Sequence, residues 1–171
     1  MYFRNDPNLD LWGRVSVQKG SLDNFEFFKW LAELFDIPDL VKVDFQKASS
    51  NFSVNAKGAG LQQINLESTD VLINGDFGLG EHDLVSSQLA LTFSRQLLEE
   101  SPKFTSLLRL VGGDMTEFCF EFQLSGILDK MNFRWRQSDF KNRLQKAIPG
   151  FMERRIDKNI EDAIQAISVE P

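Results

Sequence analysis

Cysteine and histidine are almost absent from this 171-residue sequence, which has a single cysteine, Cys119, and a single histidine, His82. One cysteine excludes an internal disulfide, and these two residues are too few soft ligands for a structural zinc site. Long hydrophobic runs are missing too, since no window reaches the roughly 18 consecutive apolar residues of a membrane-spanning helix. The N-terminus lacks the profile of a signal peptide. We therefore expect either a cytosolic protein or a piece of a longer chain.

Tyrosine is equally scarce, with one residue against 16 phenylalanines. Apolar residues make up 42% of the chain and charged residues 26%, which is the composition of an average globular protein. The length suits one domain with a sizeable core. Because phenylalanine brings a large ring without a polar group, the sequence predicts unusually large apolar surfaces.

The net charge of −6 argues against nucleic acid as a partner, but it hides an asymmetry. Between Lys130 and Lys158 there are nine basic and three acidic residues, a local balance of +6 that leaves −12 for the remainder. A basic segment on an acidic body is typical of proteins that meet an anionic surface. That surface is either lipid head groups or an acidic protein.

Short runs in which apolar and polar residues alternate predict strands over much of the chain. They cover residues 14–19, 41–46, 52–54, 61–67, 70–79 and 85–93. Ala48-Ser49-Ser50 is interpreted as the connection between two of these strands. Since the connections are short, neighbouring strands are expected to pair antiparallel in a meander.

Two helices are predicted between the strands. The first begins at a cap on Ser21 or Asp23 and ends before Pro38, and its apolar stripe is wide enough for burial on more than one side. The second spans about 95–111, and Pro102 is expected to break it or to start its second half.

The clearest strand signal predicts a hairpin with an aromatic inner face and a turn near Asp129. Its rings are core if the helices cover them, or they line a groove for acyl chains if the helices leave a gap. Both alternatives stay open at this point. The candidate groove residues are Phe118, Phe120, Phe122, Phe133 and Trp135.

An amphipathic helix with a kink at Pro149-Gly150 is predicted from Ser138 to about Ile167. Basic residues beside its apolar stripe suit a helix that lies in a membrane interface or docks on a partner. The alternative is a helix packed on its own sheet. The candidate residues for a membrane surface or partner are Arg143, Lys146, Phe151, Arg154, Arg155 and Lys158.

The predicted fold is therefore α+β: a curved antiparallel meander of about eight strands with two short helices and a long C-terminal amphipathic helix. Residues 1–12 are predicted to be a leader, 13–137 the sheet domain with its inserted helices, and 138–167 the C-terminal helix of the same domain. No second domain is needed at this length.

Enzyme signatures are weak, and we predict no catalytic residue, metal site or cofactor. Two S-x-x-K matches, at Ser16 and Ser138, come without the companion motifs that supply the other catalytic groups. His82 lies in an acidic turn and is interpreted as solvated. Glu153, Asp157 and Glu161 share one helix face with basic residues, so ion pairs explain them better than a metal does.

The order of several pieces resembles the C-terminal region of the AsmA-like bacterial envelope proteins, over roughly residues 13–137. Residues 13–24, followed by an apolar helix ending at Ile37-Pro38, are similar to the strand, glycine and helix that open that region. The other similar pieces are Val43-Asp44-Phe45 with Phe52-Ser53-Val54 and Gly58, Ile73-Asn74-Gly75-Asp76-Phe77 with Leu89-Ala90-Leu91, and Phe122–Leu128.

This resemblance implies a non-enzymatic envelope module that shields phospholipid or helps it move between the inner and outer membranes during outer-membrane biogenesis. It implies a periplasmic location, with the full-length protein associated with the inner membrane. Its partners would be phospholipid or a membrane surface, with other envelope proteins as further candidates. The alternative function is a protein-interaction or capping domain of a larger envelope protein.

Overall fold

The computed structural model describes residues 10–23, 25–111 and 113–136, together with Asn142. Strands dominate this part of the chain. They are β1 (Asp10–Asp23), β2 (Lys42–Asn55), β3 (Gly58–Glu67), β4 (Val71–Gly80), β5 (Leu84–Ser94), β6 (Glu117–Ile127) and β7 (Lys130–Trp135). Each pairs antiparallel with the next, in the order β1 to β7, which confirms the predicted antiparallel meander.

The predicted α+β class with a meander of about eight strands is wrong. The described residues form one antiparallel sheet of seven strands with short helices packed on it. The extra strand came from Ala48-Ser49-Ser50, which stays inside β2 and pairs with residues 15–17 of β1. Pairing within the sheet outweighs the weak strand preference of alanine.

The two ends of the predicted domain fall at the limits of the described residues. β1 begins at Asp10, so its first three residues belong to the stretch predicted as a leader. The rest of that leader, residues 1–9, and the predicted helix over 138–167 lie outside the described residues.

The first predicted helix, α1, spans Glu26–Phe35. The predicted caps, Ser21 and Asp23, lie in β1 instead, where they pair with β2; the helix starts after Phe25, without a side-chain cap. It ends where Asp36 takes the left-handed conformation, ahead of a 3-10 turn, Pro38–Val41. Six of its ten residues are buried, as the wide apolar stripe predicted.

Pro102 divides the second predicted helix into α2 (Arg95–Glu99) and α3 (Pro102–Val111), which confirms the predicted break. The hydroxyl of Ser94 accepts a hydrogen bond from the Leu97 amide at 3.2 Å and caps α2. Buried Ser101 does the same for the Phe104 amide, also at 3.2 Å. The proline ring cannot continue α2 but suits the first turn of α3.

The predicted aromatic hairpin is confirmed as β6 and β7, in which Phe122 lies opposite Trp135 and Leu124 opposite Phe133. Along β5 and β6, buried residues alternate strictly with more exposed ones, so one face of the sheet forms the core. We call this the inner face. The helices α1 and α3 pack on it, since both contribute rings to the core.

Candidate functional site

The five aromatic residues predicted as groove candidates lie under the helices. Phe118, Phe120, Phe122 and Trp135 are buried, and Phe133 is half-buried against the same core. Two ring contacts come from α1. The ring centre of Phe27 lies 5.3 Å from that of Phe122, and the ring centre of Phe35 lies 5.4 Å from that of Phe120. These rings are therefore core, the alternative in which the helices cover the sheet.

An open groove lies elsewhere on the inner face, over β1 to β4. It has a volume of about 550 Å³. Twelve apolar side chains and three polar ones line it: Val15, Val17, Leu22, Asp23, Phe25, Phe28, Ala48, Ser49, Ser50, Leu61, Ile64, Leu66, Ile73, Phe77 and Leu89. We call this site the apolar groove, and its volume is within the range of pockets that hold small ligands.

The width of the sheet explains why the apolar groove stays open. Seven strands at their usual spacing span roughly 29 Å, whereas two packed helices cover about 20 Å. The helices α1 and α3 pack over the half of the sheet that carries the large rings of β5 to β7, because they bury the most apolar area there. Of the half formed by β1 to β4, Leu66 and Ile73 are buried, but the part beyond them toward β1 stays open, beside Phe28 of α1.

Small side chains deepen the open part of this face. Ala48 and Ser50 of β2 lie opposite Val17 and Val15 of β1, and all four line the groove. The floor is buried at Leu66 and Ile73, but the side toward β1 is open, since Val15 and Val17 are 41% and 44% exposed and Leu61 is 38% exposed. Leaving such residues in contact with water is unfavourable. The groove is thus suited to an apolar ligand.

Of the two serine hydroxyls in the groove, that of Ser50 is already bonded to the backbone. The register between β2 and β3 shifts between Ser49 and Asn51, and the Ser50 hydroxyl donates to the carbonyl of Gln62 at 2.9 Å. Of the residues that line the groove in the described part of the chain, Asp23 alone carries a charge. An acyl chain fits this lining better than a sugar or a nucleotide, because those ligands need several polar partners.

A smaller polar pocket of about 290 Å³ lies on the opposite face, around Asn74, Asp76, Gln88, Glu121 and Arg136. The Asp76 carboxylate accepts a hydrogen bond from the backbone N–H of Gln63 at 2.9 Å, where the register between β3 and β4 also shifts. That carboxylate therefore stabilises an irregular strand. The pocket brings together side chains typical of a solvated sheet face.

Of the other residues singled out in the sequence, Cys119 and His82 are described, and neither lines the groove. Cys119 is exposed on β6, and His82 lies exposed in the 3-10 turn Glu81–Asp83 with a φ of 58°. Within the described ranges, His, Cys, Asp and Glu side chains form no group of three or more that could hold a metal ion. Arg143, Lys146, Phe151, Arg154, Arg155 and Lys158, the predicted surface-binding residues, all lie outside the described residues.

Sequence reasoning missed the apolar groove because it looked for the largest rings. The useful signal was the opposite one, namely apolar residues that alternate on an edge strand beside small side chains. Val15 and Val17 of β1 face Ser50 and Ala48, and that combination leaves space above the strands. The large aromatic residues instead marked the half of the face that the helices cover.

None of the helices in the described part of the chain is long and apolar enough to cross a membrane. Comparison of the chain with known proteins finds no matching family model, no matching curated protein and no matching solved structure.

Proposed function

We propose that this chain binds the acyl chain of a lipid in the apolar groove and shields it from water. The observation that carries the proposal is the groove itself, an open space of about 550 Å³ with twelve apolar side chains in its lining. Each methylene that leaves water for such a site stabilises the complex by about 0.8 kcal/mol. Roughly ten buried methylenes therefore offset the free energy cost of association.

The lining favours recognition of the acyl chain over recognition of the head group. Its single charged residue, Asp23, would repel a phosphate, and the Ser50 hydroxyl already donates to Gln62. The head group of a bound phospholipid would therefore stay in solvent, outside the groove. This arrangement suits a protein that accepts several lipid classes with similar acyl chains.

The biological setting remains part of the proposal. The resemblance of residues 13–137 to the AsmA-like region supports a non-enzymatic role in the bacterial envelope, where the protein would shield phospholipid or help it move between the inner and outer membranes. A periplasmic location and association with the inner membrane rest on that resemblance alone. The apolar groove supports the binding step of this role and does not depend on its location.

The binding step can be tested with a phospholipid that carries a fluorescent acyl chain, titrated into delipidated protein. We expect saturable binding, and we expect Leu61→Glu to raise the dissociation constant by at least about tenfold, because the new carboxylate must lose water when the acyl chain enters. Native mass spectrometry of protein from a bacterial lysate should show adducts of phospholipid mass.

Leu84→Glu is the matched control, since Leu84 is also an exposed leucine of the sheet but does not line the groove. The dissociation constant of the fluorescent phospholipid for this variant should stay within about twofold of the value for the unmodified protein. Absence of binding, or equal effects of the two variants, would overturn the proposal and leave protein interaction as the better account of the chain.

A further inference from the structure

The two edges of the sheet differ in how well they are protected against pairing with another strand. At one edge β7 is only six residues long and carries Lys130 and Arg134. At the other edge β1 has 14 residues, contains no proline, and has one charged residue between Leu11 and Val17. Short strands and charged side chains are the usual protection of a sheet edge. The stretch of β1 from Leu11 to Val17 largely lacks this protection.

The outward face of β1, opposite the groove, carries an exposed tryptophan between opposite charges. Asp10, Trp12 and Arg14 are alternate residues, so they share this face. Trp12 is 81% exposed, and its neighbours across the strand pair belong to a polar stretch of β2, with Ser53 directly opposite. A ring this large and this exposed is typical of a contact surface.

The motif Asp10-Leu11-Trp12-Gly13-Arg14 is complementary to itself when two copies run antiparallel. If Trp12 lies opposite Trp12 of a second copy, Asp10 lies opposite Arg14 on both sides of the ring pair. All these side chains are then on one face, and opposite charges and aromatic pairs both stabilise neighbouring strands. Leu11 lies opposite Gly13 on the other face, where the ring of Phe52 from β2 lies over the glycine.

We propose that β1 is a homodimerisation edge, at which two copies of this chain pair antiparallel about a two-fold axis through Trp12. The axis is perpendicular to the sheet, so the two sheets become continuous and both apolar grooves open on the same side. Neither Asp10 nor Arg14 has an ion-pair partner among the described residues, so both charges are available to the second copy. This pairing does not depend on what the groove binds.

Five residues from each copy form a small interface, well below the roughly 1,200 Å² of a tight complex, so the dimer should have a micromolar dissociation constant. Sedimentation velocity of the lipid-free chain from about 1 to 200 µM should show a concentration-dependent shift from monomer to dimer. Trp12→Ala should raise the dissociation constant at least about tenfold, because the aromatic pair is lost.

Charge exchange gives the sharper test. Asp10→Arg alone and Arg14→Asp alone each place like charges opposite one another twice, and each should raise the dissociation constant about tenfold. The double variant restores both ion pairs and should return within about threefold of the unmodified protein. Arg134→Asp on the other edge strand, β7, is the control and should leave dimerisation unchanged.

Circular dichroism should confirm that each variant is folded before its monomer–dimer equilibrium is measured by sedimentation velocity. A chain that stays monomeric over the whole concentration range would overturn the proposal. It would also be overturned by a dimer that is insensitive to Trp12→Ala, or by a double variant that associates no better than the single ones.

Discussion

At the scale of single residues, Gly75 of β4 has the tightest backbone environment among the described glycines. Its φ is 148°, and a β-carbon there would lie 2.0 Å from the carbonyl oxygen of Gln88 on β5. Gly75→Ala is therefore expected to lower the free energy of unfolding by about 3 kcal/mol, through backbone strain and displacement of β5. Urea denaturation followed by circular dichroism measures this change.

Gly80, at the end of the same strand, is the control for this prediction. A β-carbon there has its nearest neighbour at 3.7 Å, and the φ is −92°. Gly80→Ala should therefore change the free energy of unfolding by less than about 0.5 kcal/mol. Similar losses for the two variants would contradict the conformation described for Gly75.

At the scale of secondary-structure elements, α1 is held on the sheet by Phe27. Its side chain is fully buried, and its ring centre lies 5.3 Å from that of Phe122 and 5.2 Å from that of Phe133. Phe27→Ala should cost about 3–5 kcal/mol of unfolding free energy, because it leaves a cavity between the helix and the β6–β7 hairpin. Denaturant unfolding gives the value.

Leu84→Ala provides the comparison for Phe27→Ala, because Leu84 is exposed and its truncation creates no cavity. The expected loss is below about 0.5 kcal/mol. If Phe27→Ala were equally mild, α1 would not be packed on the hairpin, and the aromatic rings of β6 and β7 would be open to a ligand after all.

At the scale of the whole molecule, a lipid in the apolar groove should stabilise the fold. A ligand present at a hundred times its dissociation constant adds about 2.7 kcal/mol to the free energy of unfolding. For a domain of this length, that corresponds to a rise in melting temperature of roughly 5–10 °C. Differential scanning calorimetry with and without a short-chain phospholipid below its micellar concentration measures the shift.

With the Leu61→Glu variant, the lipid should raise the melting temperature little or not at all. With Leu84→Glu, it should raise the melting temperature as much as with the unmodified protein. If the lipid raised the melting temperature of Leu61→Glu equally, it would bind elsewhere on the surface.

Several parts of the fold could be predicted because they depend on neighbours in the sequence. Alternation along Phe118–Leu124 and Met131–Trp135 identified the hairpin and its inner face, which β6 and β7 confirm. Pro102 marked the division between α2 and α3, because its ring cannot lie inside a helix. Local sequence misled at Ala48-Ser49-Ser50, where pairing with β1 keeps a small polar segment in the strand.

The sequence by itself determined where most of the strands lie, which side of each of these strands is apolar, and that the connections permit antiparallel neighbours. Only the tertiary structure decided where α1 and α3 cover the inner face. The physical reason is that the hydrophobic effect is not directional, so alternation indicates that a face will leave water without indicating what will cover it. The rings of Phe120 and Phe122 therefore became core, while Val15, Val17 and Leu61 were left to line an open groove.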